Sequence, residues 1–498
     1  VASAPSDARM VLANGAWEMP AGVSPTTDAL VGSEEITFIT NSMYNCTYII
    51  RGGKLYSAIG DSGSHSNHTS GFGLDATIDI YGIENLREVT FPSQPTGTTV
   101  VQAGGDGYTV AFALLSNGYL YTWGRNSSGA LGLGNTTAQA VPVLALTDCV
   151  EVYDDNTWGS YSVTNANLFV KRANGWVYAA GDNNYGEFGL GNRTQFNSFR
   201  RLPWIGTNPI FVSASEGYVG RLLIQKSDGT IWTVGWGGNG VRFDSSTNHI
   251  TTATDVTAAL GGSGAGDVIF SHYTYSYHST ATGNVAYSLV VRKDGSNVTR
   301  LFTVGNGSAG QLGNGSTTTI TVPYEVPNMG DIAQITLNGG GVPAIHVLKT
   351  NGDLYCWGRN SEGQLGVGNT ALTSSPTLVT TGVAEIMSKS FVQHTYEFRI
   401  QVFIRKGTDI YCTGYNNVYQ LGLGYTTAVN TFTLNPLLSN AGNRVKFIGR
   451  TTSSTSKATM VAVLENNDIM AWGNGGNQSI FNDSNVHVRY PLKINWEV

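Results

Sequence analysis

Charged residues are scarce in this chain of 498 residues. Only 12% of them are Asp, Glu, Lys or Arg, against roughly a quarter in an average globular domain. The surface must therefore consist largely of Ser, Thr, Asn and Gly, a composition more typical of proteins that work outside a cytoplasm. The net charge is −6 and no run of Lys or Arg is longer than two, whereas duplex binding depends on basic contacts to phosphate. We therefore expect no nucleic acid partner.

Cysteine is also rare, and the chain holds only four. Cys356 and Cys412 stand in two copies of one short pattern, Tyr-Cys-x-Gly. We expect equivalent positions of neighbouring copies to lie farther apart than the roughly 7 Å between Cα atoms that a disulfide allows. Cys46 and Cys149 show no spacing typical of a disulfide framework. All four are expected to be buried thiols that pack as small apolar residues.

Long apolar stretches are missing from the sequence. No segment approaches the eighteen or more apolar residues of a membrane span, and no charged and then apolar leader follows Val1. We expect a soluble protein without membrane insertion. Because the chain starts at Val1 rather than Met, we also expect that a preceding part has been removed.

A pattern that contains a glycine after a short apolar segment recurs along the chain. Its two clearest copies are Leu-Tyr-Thr-Trp-Gly-Arg-Asn-Ser-Ser-Gly-Ala-Leu-Gly at 120–132 and Leu-Tyr-Cys-Trp-Gly-Arg-Asn-Ser-Glu-Gly-Gln-Leu-Gly at 354–366. The glycine that ends the apolar segment, called the closing glycine below, falls at positions 60, 124, 181, 235, 305, 358, 414 and 473. Repetition on this scale indicates an architecture of eight similar units.

Each unit contains four short segments in which apolar and polar residues alternate between Gly, Asn and Pro, a pattern that predicts strands and no helix. The closing glycine can adopt a positive φ without a Cβ clash, and an asparagine two residues later can hold the turn. The apolar residue seven positions after the glycine is expected to return to the core. Prolines in the fourth segment suit an edge strand; they are Pro142, Pro323 and Pro376.

Repeated four-stranded units that pack on one another are typical of a β-propeller, whose radial closure leaves only short edges exposed. We predict an all-β fold in which residues 35–498 form a single β-propeller of eight four-stranded blades. The alternative is seven blades, with the degenerate copy at Ile231–Phe243, which lacks Gln-Leu-Gly, not forming a full blade. Residues 1–34 are expected to form an N-terminal extension or connector, or to contribute a strand that completes the ring.

The core Gly-x-Asn-x-x-Gly-Gln-Leu-Gly, preceded by Leu-Tyr-x-Trp, resembles the repeat of the regulator of chromosome condensation family. The resemblance covers roughly residues 35–498. It implies a seven-bladed propeller, where eight units are counted here, and it admits several activities: nucleotide exchange on a small GTPase at chromatin, inhibition of β-lactamases by a secreted member, and protein recognition through a propeller face. We set the chromatin role aside because this acidic chain has no basic arm.

The N-terminal string Asn-Gly-x-Trp-x-x-Pro-x-Gly, which runs from Asn14 to Gly22 and includes Trp17, resembles short segments of bacteriophage tail fibre proteins. In those proteins such a segment links a fibre stem to a head. The alternative is a strand that completes the ring or packs beneath it. Both interpretations are compatible with one another.

Two short motifs invite a catalytic or metal-binding interpretation. Gly60-Asp61-Ser62-Gly63 matches the string around a serine protease nucleophile, but it aligns with the turn after a closing glycine, and neighbours on one loop rarely form a triad. His65 and His68 have no further ligand at a supporting spacing. The acidic residues considered for glycan hydrolysis, Asp154, Asp155 and Glu187, show no distinctive spacing. We therefore predict no catalytic residue, no cofactor and no metal site.

Aromatic residues supply the candidate ligand contacts. Tyr273, Tyr275 and Tyr277 alternate along one predicted strand and share one face, which is either a binding surface or, as we favour, core. A second group replaces Ser, Asn or Gly of the clearest copies in turns, where binding residues tend to lie. Its members are Trp158, Tyr161, Tyr185, Trp236, Tyr415 and Tyr419.

These observations favour a non-enzymatic binding or structural protein. We predict a bacteriophage virion component of the tail or tail fibre, extracellular in location, which recognises a host-surface glycan or protein or docks other virion proteins. The alternative is a secreted or surface bacterial propeller that binds proteins in the manner of an inhibitor. A third hypothesis is a glycan-active enzyme.

Overall fold

The computed structural model describes residues 11–13, 16–18, 36–41, 46–59, 86–105, 110–153, 166–215, 220–276, 285–338, 343–388, 400–439, 443–450, 459–474 and 487–494. No α-helix occurs among these residues, and the short turns of 3-10 helix are Pro203–Ile205, Gly238–Gly240, Ala258–Leu260 and Ser263–Ala265. The prediction of an all-β chain is confirmed.

Two short strands, β1 (Val11–Ala13) and β2 (Ala16–Glu18), precede the blades. Blade 1 has β3 (Ile36–Asn41), β4 (Cys46–Arg51), β5 (Lys54–Ile59) and β6 (Arg87–Glu88). Blade 2 has β7 (Val100–Gly105), β8 (Val110–Leu115), β9 (Leu120–Gly124) and β10 (Gln139–Leu146). Blade 3 has β11 (Cys149–Tyr153), β12 (Asn167–Arg172), β13 (Val177–Gly181) and β14 (Phe196–Arg201). Blade 4 has β15 (Phe211–Ser215), β16 (Arg221–Gln225), β17 (Ile231–Gly235) and β18 (Ile250–Asp255).

Blade 5 has β19 (Asp267–Ser276), β20 (Val285–Lys293), β21 (Thr299–Gly305) and β22 (Ile320–Val326). Blade 6 has β23 (Ile332–Asn338), β24 (Ala344–Lys349), β25 (Leu354–Gly358) and β26 (Thr373–Thr380). Blade 7 has β27 (Glu385–Ile386), β28 (Gln401–Lys406), β29 (Asp409–Gly414) and β30 (Val429–Asn435). Blade 8 has β31 (Val445–Arg450), β32 (Thr459–Leu464), β33 (Ile469–Gly473) and β34 (His487–Ile494).

The strands of every blade follow chain order from the inner to the outer edge and pair antiparallel. This confirms eight four-stranded blades, so the degenerate copy at Ile231–Phe243 belongs to a full blade, and the alternative of seven is wrong. Blade 8 is extended at its outer edge, where β2 pairs parallel with β34 and β1 pairs with β2. The prolines predicted at edge strands, Pro142, Pro323 and Pro376, lie in the outermost strands of blades 2, 5 and 6.

Blade 8 packs directly against blade 1 and closes the ring. Ile49 and Tyr56 of blade 1 belong to the same buried apolar cluster as Val461 and Trp472 of blade 8. Comparable clusters join blade 1 to blade 2 and blade 5 to blade 6. The core is therefore divided among the interfaces between neighbouring blades, as radial packing of sheets requires.

One asparagine holds the loop after the third strand. The closing glycine has φ between 98° and 114° in all seven copies that the structure describes. Two residues later, the buried Asn360 accepts the N–H of Leu365 at Oδ1, at 3.0 Å. Its Nδ2 donates to the carbonyls of Asn369 and Ala371 at 2.9 and 3.0 Å. The same three bonds are made by Asn126, Asn183 and Asn416.

The predicted return of the loop to the core is also confirmed. The apolar residues seven positions after the closing glycine are all 0% exposed, and they are Leu131, Phe188, Leu312, Leu365 and Leu421. Because the asparagine side chain satisfies three backbone groups of the loop, the loop can bury this residue without leaving those groups unpaired.

The same loop also forms a hydrogen bond to the next blade in blades 2, 3, 5, 6 and 7. Ten residues after the closing glycine, the N–H of Gly368 donates to the carbonyl of Asn430 on the outer strand of blade 7, at 2.7 Å. Equivalent bonds of 2.7 to 3.3 Å join Gly134 to Asn197, Gly191 to Thr251, Gly315 to Ser374 and Gly424 to Arg489. The loop thus adds one backbone hydrogen bond at each of five blade interfaces.

The tryptophan before the closing glycine makes a second link between blades. Trp357 and Trp472 are fully buried, and each indole Nε1 donates to a backbone carbonyl of the preceding blade. The acceptors are Gln311 at 3.1 Å and Gln420 at 2.7 Å. Since a buried indole N–H needs a partner, these carbonyls determine how closely the two blades approach.

Six inner strands carry a bulge near their start, at the second residue in five of them and at the third in β19. The bulged residue faces no partner on the neighbouring strand. Three of these bulged residues are strongly exposed on the inner edge of the ring: Val101 at 56%, Val150 at 51% and Ile269 at 47%. Inner strands of blades 5 to 8 line a groove of about 380 Å³ that includes Ile269 and Phe447. Apolar side chains are therefore presented to the central channel.

Blade 4, the degenerate copy, replaces the asparagine device with an arginine. Arg242 stands where the other copies have leucine or phenylalanine, and it is 0% exposed. Its Nη1 donates to the carbonyl of Gly235 at 3.0 Å and to that of Asn248, while its Nε donates to Asp244 at 3.1 Å. Phe243, one residue later, fills the core position instead and is fully buried. A charged side chain thus bonds the carbonyl of Asn248, which is one of the acceptors that an asparagine at position 237 would have, and adds a bond to Gly235.

Three of the four cysteines are buried thiols, as predicted. Cys149, Cys356 and Cys412 are unpaired and 0 to 4% exposed. Burial raises the pKa of Cys149 and of Cys356 to about 12. The side chain of Cys46 lies outside the described part of the structure.

Replacing Asn360 by alanine should destabilise the protein by about 3 kcal/mol, because three backbone groups in a buried loop would lose their partner. Urea unfolding followed by tryptophan fluorescence measures the change. The matched control is Asn248→Ala, which removes an exposed asparagine side chain from another loop and should leave the midpoint nearly unchanged. Equal effects of the two substitutions would contradict this role of Asn360.

Candidate binding face

One face of the propeller collects the loops that vary most between copies. In an antiparallel blade the loop between the third and fourth strands lies at the same edge as the loop between the first and second strands. We call this edge of the ring the closing-glycine face. The loop with Tyr185 follows β13 and the loop with Trp236 follows β17, so both lie on this face.

Three of the predicted ligand-contact residues meet there although they belong to different blades. Trp236 of blade 4 and Tyr273 of blade 5 have ring centroids 6.3 Å apart and share a cluster against which Tyr185 of blade 3 packs. His249, which precedes β18, stacks on Trp236 at 6.0 Å and 23° and meets Tyr185 edge to face at 5.1 Å. We call Tyr185, Trp236, His249 and Tyr273 the aromatic cluster.

The four rings differ in how much solvent they meet. Tyr273 is 2% and Trp236 is 7% exposed, so both are mainly packing residues. His249 is exposed and Tyr185 is half-buried. A partner that approaches this face therefore meets the imidazole and the phenol first, supported from below by the indole.

A buried cation lies under the cluster. Arg221, the first residue of β16, is 1% exposed and its guanidinium carbon is 5.3 Å from the centre of the Tyr273 ring and 6.0 Å from that of Phe243. Its Nη2 donates to Ser271 Oγ at 3.2 Å. A desolvated cation over aromatic faces gains from their quadrupoles. The charge of Arg221 adds to the effect of burial on His272, whose pKa is lowered to about 4.

The surroundings of His249 favour the neutral form of its imidazole. Burial lowers its pKa, and the charges of Arg193 and Arg242 lower it further. Its Nδ1 accepts the N–H of Gly237 at 3.3 Å, which fixes the ring relative to the loop that carries Trp236. The cluster therefore offers stacked neutral rings and hydrogen-bonding atoms rather than a charged site.

Other predicted contact residues lie elsewhere. Tyr415 and Tyr419 are half-buried in the loop of blade 7, and the ring of Tyr419 lies 5.4 Å from the guanidinium carbon of Arg489 in blade 8. Tyr275 lies in β19 opposite Ala286, and its side chain is not described. Trp158, Tyr161 and Tyr277 lie outside the described residues.

The motifs weighed for catalysis or metal binding are placed only in part. Gly60–Gly63, His65, His68, Asp154 and Asp155 lie outside the described residues. Glu187 is 2% exposed and accepts the N–H of Tyr185 at 2.9 Å. Within the portion of the chain that is described, no three or more His, Cys, Asp and Glu side chains are grouped to hold a metal ion. In the same portion, no helix has the length and hydropathy to cross a bilayer.

Sequence reasoning missed His249, Arg221 and Arg242. Arg242 could have been found, because it stands where other copies have a core leucine. Trp236 was identified in the same way, as a residue that differs from those at the same position in the clearest copies. Arg221 and His249 carry no such signal. They join the cluster only because blade 4 packs between blades 3 and 5.

Comparison with known proteins supports the assignment of the repeats. The family described as "Regulator of chromosome condensation (RCC1) repeat" matches residues 117–149 and 351–393. Both matched segments include one of the two clearest copies of the pattern. The chain is therefore a β-propeller with RCC1-like repeats.

Relatives with this repeat are distant. The ultraviolet-B receptor UVR8 of Arabidopsis thaliana is 23% identical over 362 residues, which are 72% of this chain and 72% of UVR8. The human E3 ubiquitin-protein ligase HERC2 is 25% identical over 63% of this chain, which corresponds to 6% of HERC2. The human X-linked retinitis pigmentosa GTPase regulator is 31% identical over 30% of this chain and 14% of its own length. The match thus spans only a small part of the last two proteins.

Solved structures were also compared with this chain. Human WBSCR16 covers 76% of this chain with a TM-score of 0.47 and 19% identity, and 92% of its own length is covered. Prp20p of Saccharomyces cerevisiae, described together with its binding to Gsp1p and histones, also covers 76% of this chain, with a TM-score of 0.47, 17% identity and 87% of its own length covered.

Replacing Arg242 by leucine should destabilise the protein by about 3–5 kcal/mol, because Asp244 would be left without its cation in a nearly buried setting. The loop that carries Trp236 and His249 would also lose its anchor at Gly235. Thermal unfolding measures the loss. Adding Asp244→Asn to Arg242→Leu should recover part of it, and a double variant no better than the single one would contradict the assignment.

Proposed function

We propose that this chain is a non-enzymatic binding propeller and that its partner contacts the closing-glycine face at the aromatic cluster. The observation that supports this most is the convergence of Tyr185, Trp236 and Tyr273, which come from three blades and meet beside the exposed His249. None of these aromatic residues is required by the turn, since the clearest copies of the repeat have other residues at the positions of Tyr185 and Trp236. Loops on a rigid scaffold commonly carry binding function.

The chemistry of the cluster suits a neutral ligand with an apolar face. Large, stiff, amphipathic rings give contact area at low cost in conformational entropy, and the ring faces of sugars pack on such surfaces. Because the pKa of His249 is lowered and only 12% of the residues in the chain are charged, we infer a host-surface glycan as the ligand, with docking of neighbouring virion proteins as the second possibility.

A non-enzymatic role is supported by the surroundings of Glu187. Of the three acidic residues considered for glycan hydrolysis, it is the one that the structure describes, and it faces the backbone of its own loop rather than solvent. Glycan hydrolysis needs two carboxyl groups that flank a bound substrate.

We further propose that the protein is a bacteriophage virion component of the tail or tail fibre, and that residues 1–34 form its connector. The N-terminal string with Trp17 and the low charge support this assignment. The pairing of β2 with β34 supports it as well, because a segment attached at the outer edge of blade 8 leaves the closing-glycine face open. On this proposal the chain functions outside the cell as part of the virion.

Exchange of Tyr185 for alanine together with His249→Ala should weaken binding to purified host-surface polysaccharide about tenfold or more, because the two rings of the cluster that solvent reaches most are removed. Surface plasmon resonance on the folded protein measures the change in Kd. Tyr425→Ala is the matched control, since this tyrosine is 43% exposed on blade 7, away from the cluster. Unchanged affinity in the double variant, with full affinity in the control, would overturn the assignment of the face.

The virion location is tested separately. Mass spectrometry of purified virions should find peptides of this chain among the tail proteins. Their absence from intact virions would refute the tail assignment while leaving the binding face open to another partner.

A further inference from the structure

Two positions of the loop after the third strand contain a side-chain pair in more than one blade. They are the first and the sixth residue after the closing glycine. In blade 5 they are Asn306 and Gln311, and the Nε2 of Gln311 donates to Asn306 Oδ1 at 3.2 Å. The Oε1 of Gln311 accepts the N–H of Ala309 at 2.9 Å. Both side chains are buried. The bond between them requires the N–H of the glutamine amide as donor and the amide oxygen of the asparagine as acceptor.

Blade 3 has two carboxyl groups at the same positions. Asp182 and Glu187 are each 2% exposed. Glu187 Oε2 accepts the N–H of Tyr185 at 2.9 Å, which is the bond that Gln311 makes to Ala309. Neither carboxylate can supply the N–H that completes the amide pair of blade 5. Among the described residues, Asp182 Oδ1 has no hydrogen-bond partner.

A proton can replace the missing N–H. The two positions are in hydrogen-bond contact in blade 5, and by the equivalence of the two loops the carboxyl groups of blade 3 are neighbours. Two neighbouring buried carboxylates repel each other, whereas a carboxylic acid beside a carboxylate forms a charge-assisted O–H···O bond. Burial raises the pKa of Glu187 to about 8, and the charge of Asp182 raises it as well. Burial also raises the pKa of Asp182, to about 6, although hydrogen bonds from Asn183 and Asn184 act in the opposite direction. The two groups titrate as a pair.

We propose that Asp182 and Glu187 share one proton that closes the loop of blade 3, and that loss of this proton to solvent opens the loop. The bond that breaks is the O–H···O bond between the two carboxyl groups. The product is a pair of buried carboxylates with one more negative charge. This inference does not depend on the identity of any ligand.

The charged groups around the pair do not neutralise it. Arg193, at the end of the same loop, is exposed, and its charge lowers the pKa of Glu187 less than the other causes shift it. On blade 4, Gly220 lies against Glu187, since a Cβ there would come within 2.5 Å of Oε1. The cation of the next residue, Arg221, stacks on Tyr273 and Phe243, and burial lowers the pKa of His249, which favours its neutral form.

The loop in question carries part of the aromatic cluster. Tyr185 is bonded to Glu187 through its backbone N–H, and Gly191 at the end of the loop donates to Thr251 on blade 4. The folded loop holds the proton more tightly than an open loop, in which Glu187 would titrate near 4.5. Closure is therefore most stable at low pH and weakens as the pH rises towards 8.

Hydrogen exchange with mass spectrometry on the full chain tests the proposal. After correction for intrinsic rates, protection of amides in residues 182–191 should fall by roughly tenfold per pH unit between about pH 5 and pH 8, because opening releases a proton. The variant Asp182→Asn with Glu187→Gln recreates the amide pair of blade 5 and should remove this dependence. Residues 306–315 provide an internal control that should show none.

The reverse exchange makes the test symmetric. Asn306→Asp with Gln311→Glu should transfer the pH dependence to blade 5. Equal pH profiles of segment 182–191 in the parent and the amide variant would overturn the proposal. If an engineered pair prevents folding, the single variant Glu187→Gln and a titration of the carboxyl groups by infrared spectroscopy test the same proposal. The parent protein should show one carboxyl group that is still protonated near pH 7. No ligand enters these measurements, so their outcome is separate from that of the binding test.

Discussion

The ring depends on a polar interaction that recurs in blades 2, 3, 6 and 7: the hydrogen bonds of the asparagine two residues after the closing glycine. Asn360 and its equivalents satisfy three backbone groups of a buried loop, and this lets the loop fold back and place a leucine in the core. The same loop then reaches the outer strand of the next blade through Gly368. One side chain thus links local turn geometry to packing between blades. The repeated backbone-capping device therefore adds to the stability that apolar burial gives the propeller.

Blade 4 shows what that device must accomplish, because it lacks it. Arg242 donates to the carbonyl of Asn248, which an asparagine would otherwise bond, and to the carbonyl of Gly235, and Asp244 balances its charge. With arginine at position 242, Phe243 fills the core position, and the loop contains Trp236. A blade that departs from the repeat can therefore hold residues that the repeat has no place for. The variation that weakens the pattern and the residues that form the aromatic cluster occur together in the same loops.

Much of the fold could be predicted from the sequence because its determinants are local. Glycines with positive φ, the capping asparagine and the returning leucine all lie within seven residues of one another, so counting closing glycines is enough to count blades. Individual members of the aromatic cluster could be predicted from the sequence, but their proximity to one another could not. Its members are close because blades 3, 4 and 5 are neighbours, and whether Tyr185 reaches His249 depends on loop shapes that no short pattern encodes. The carboxyl pair of Asp182 and Glu187 was likewise missed, since it is recognised only beside the amide pair of blade 5.

The bulges on the inner strands have an evolutionary consequence. A residue such as Val101, Val150 or Ile269 stands opposite no partner in its ladder and contributes little to the packing between blades. Substitution there changes the polarity and width of the channel while the hydrogen bonds of the blade stay intact. The lining of the channel can therefore drift or adapt independently of the fold, one blade at a time, and proteins with the same repeat need not share the chemistry of their central opening.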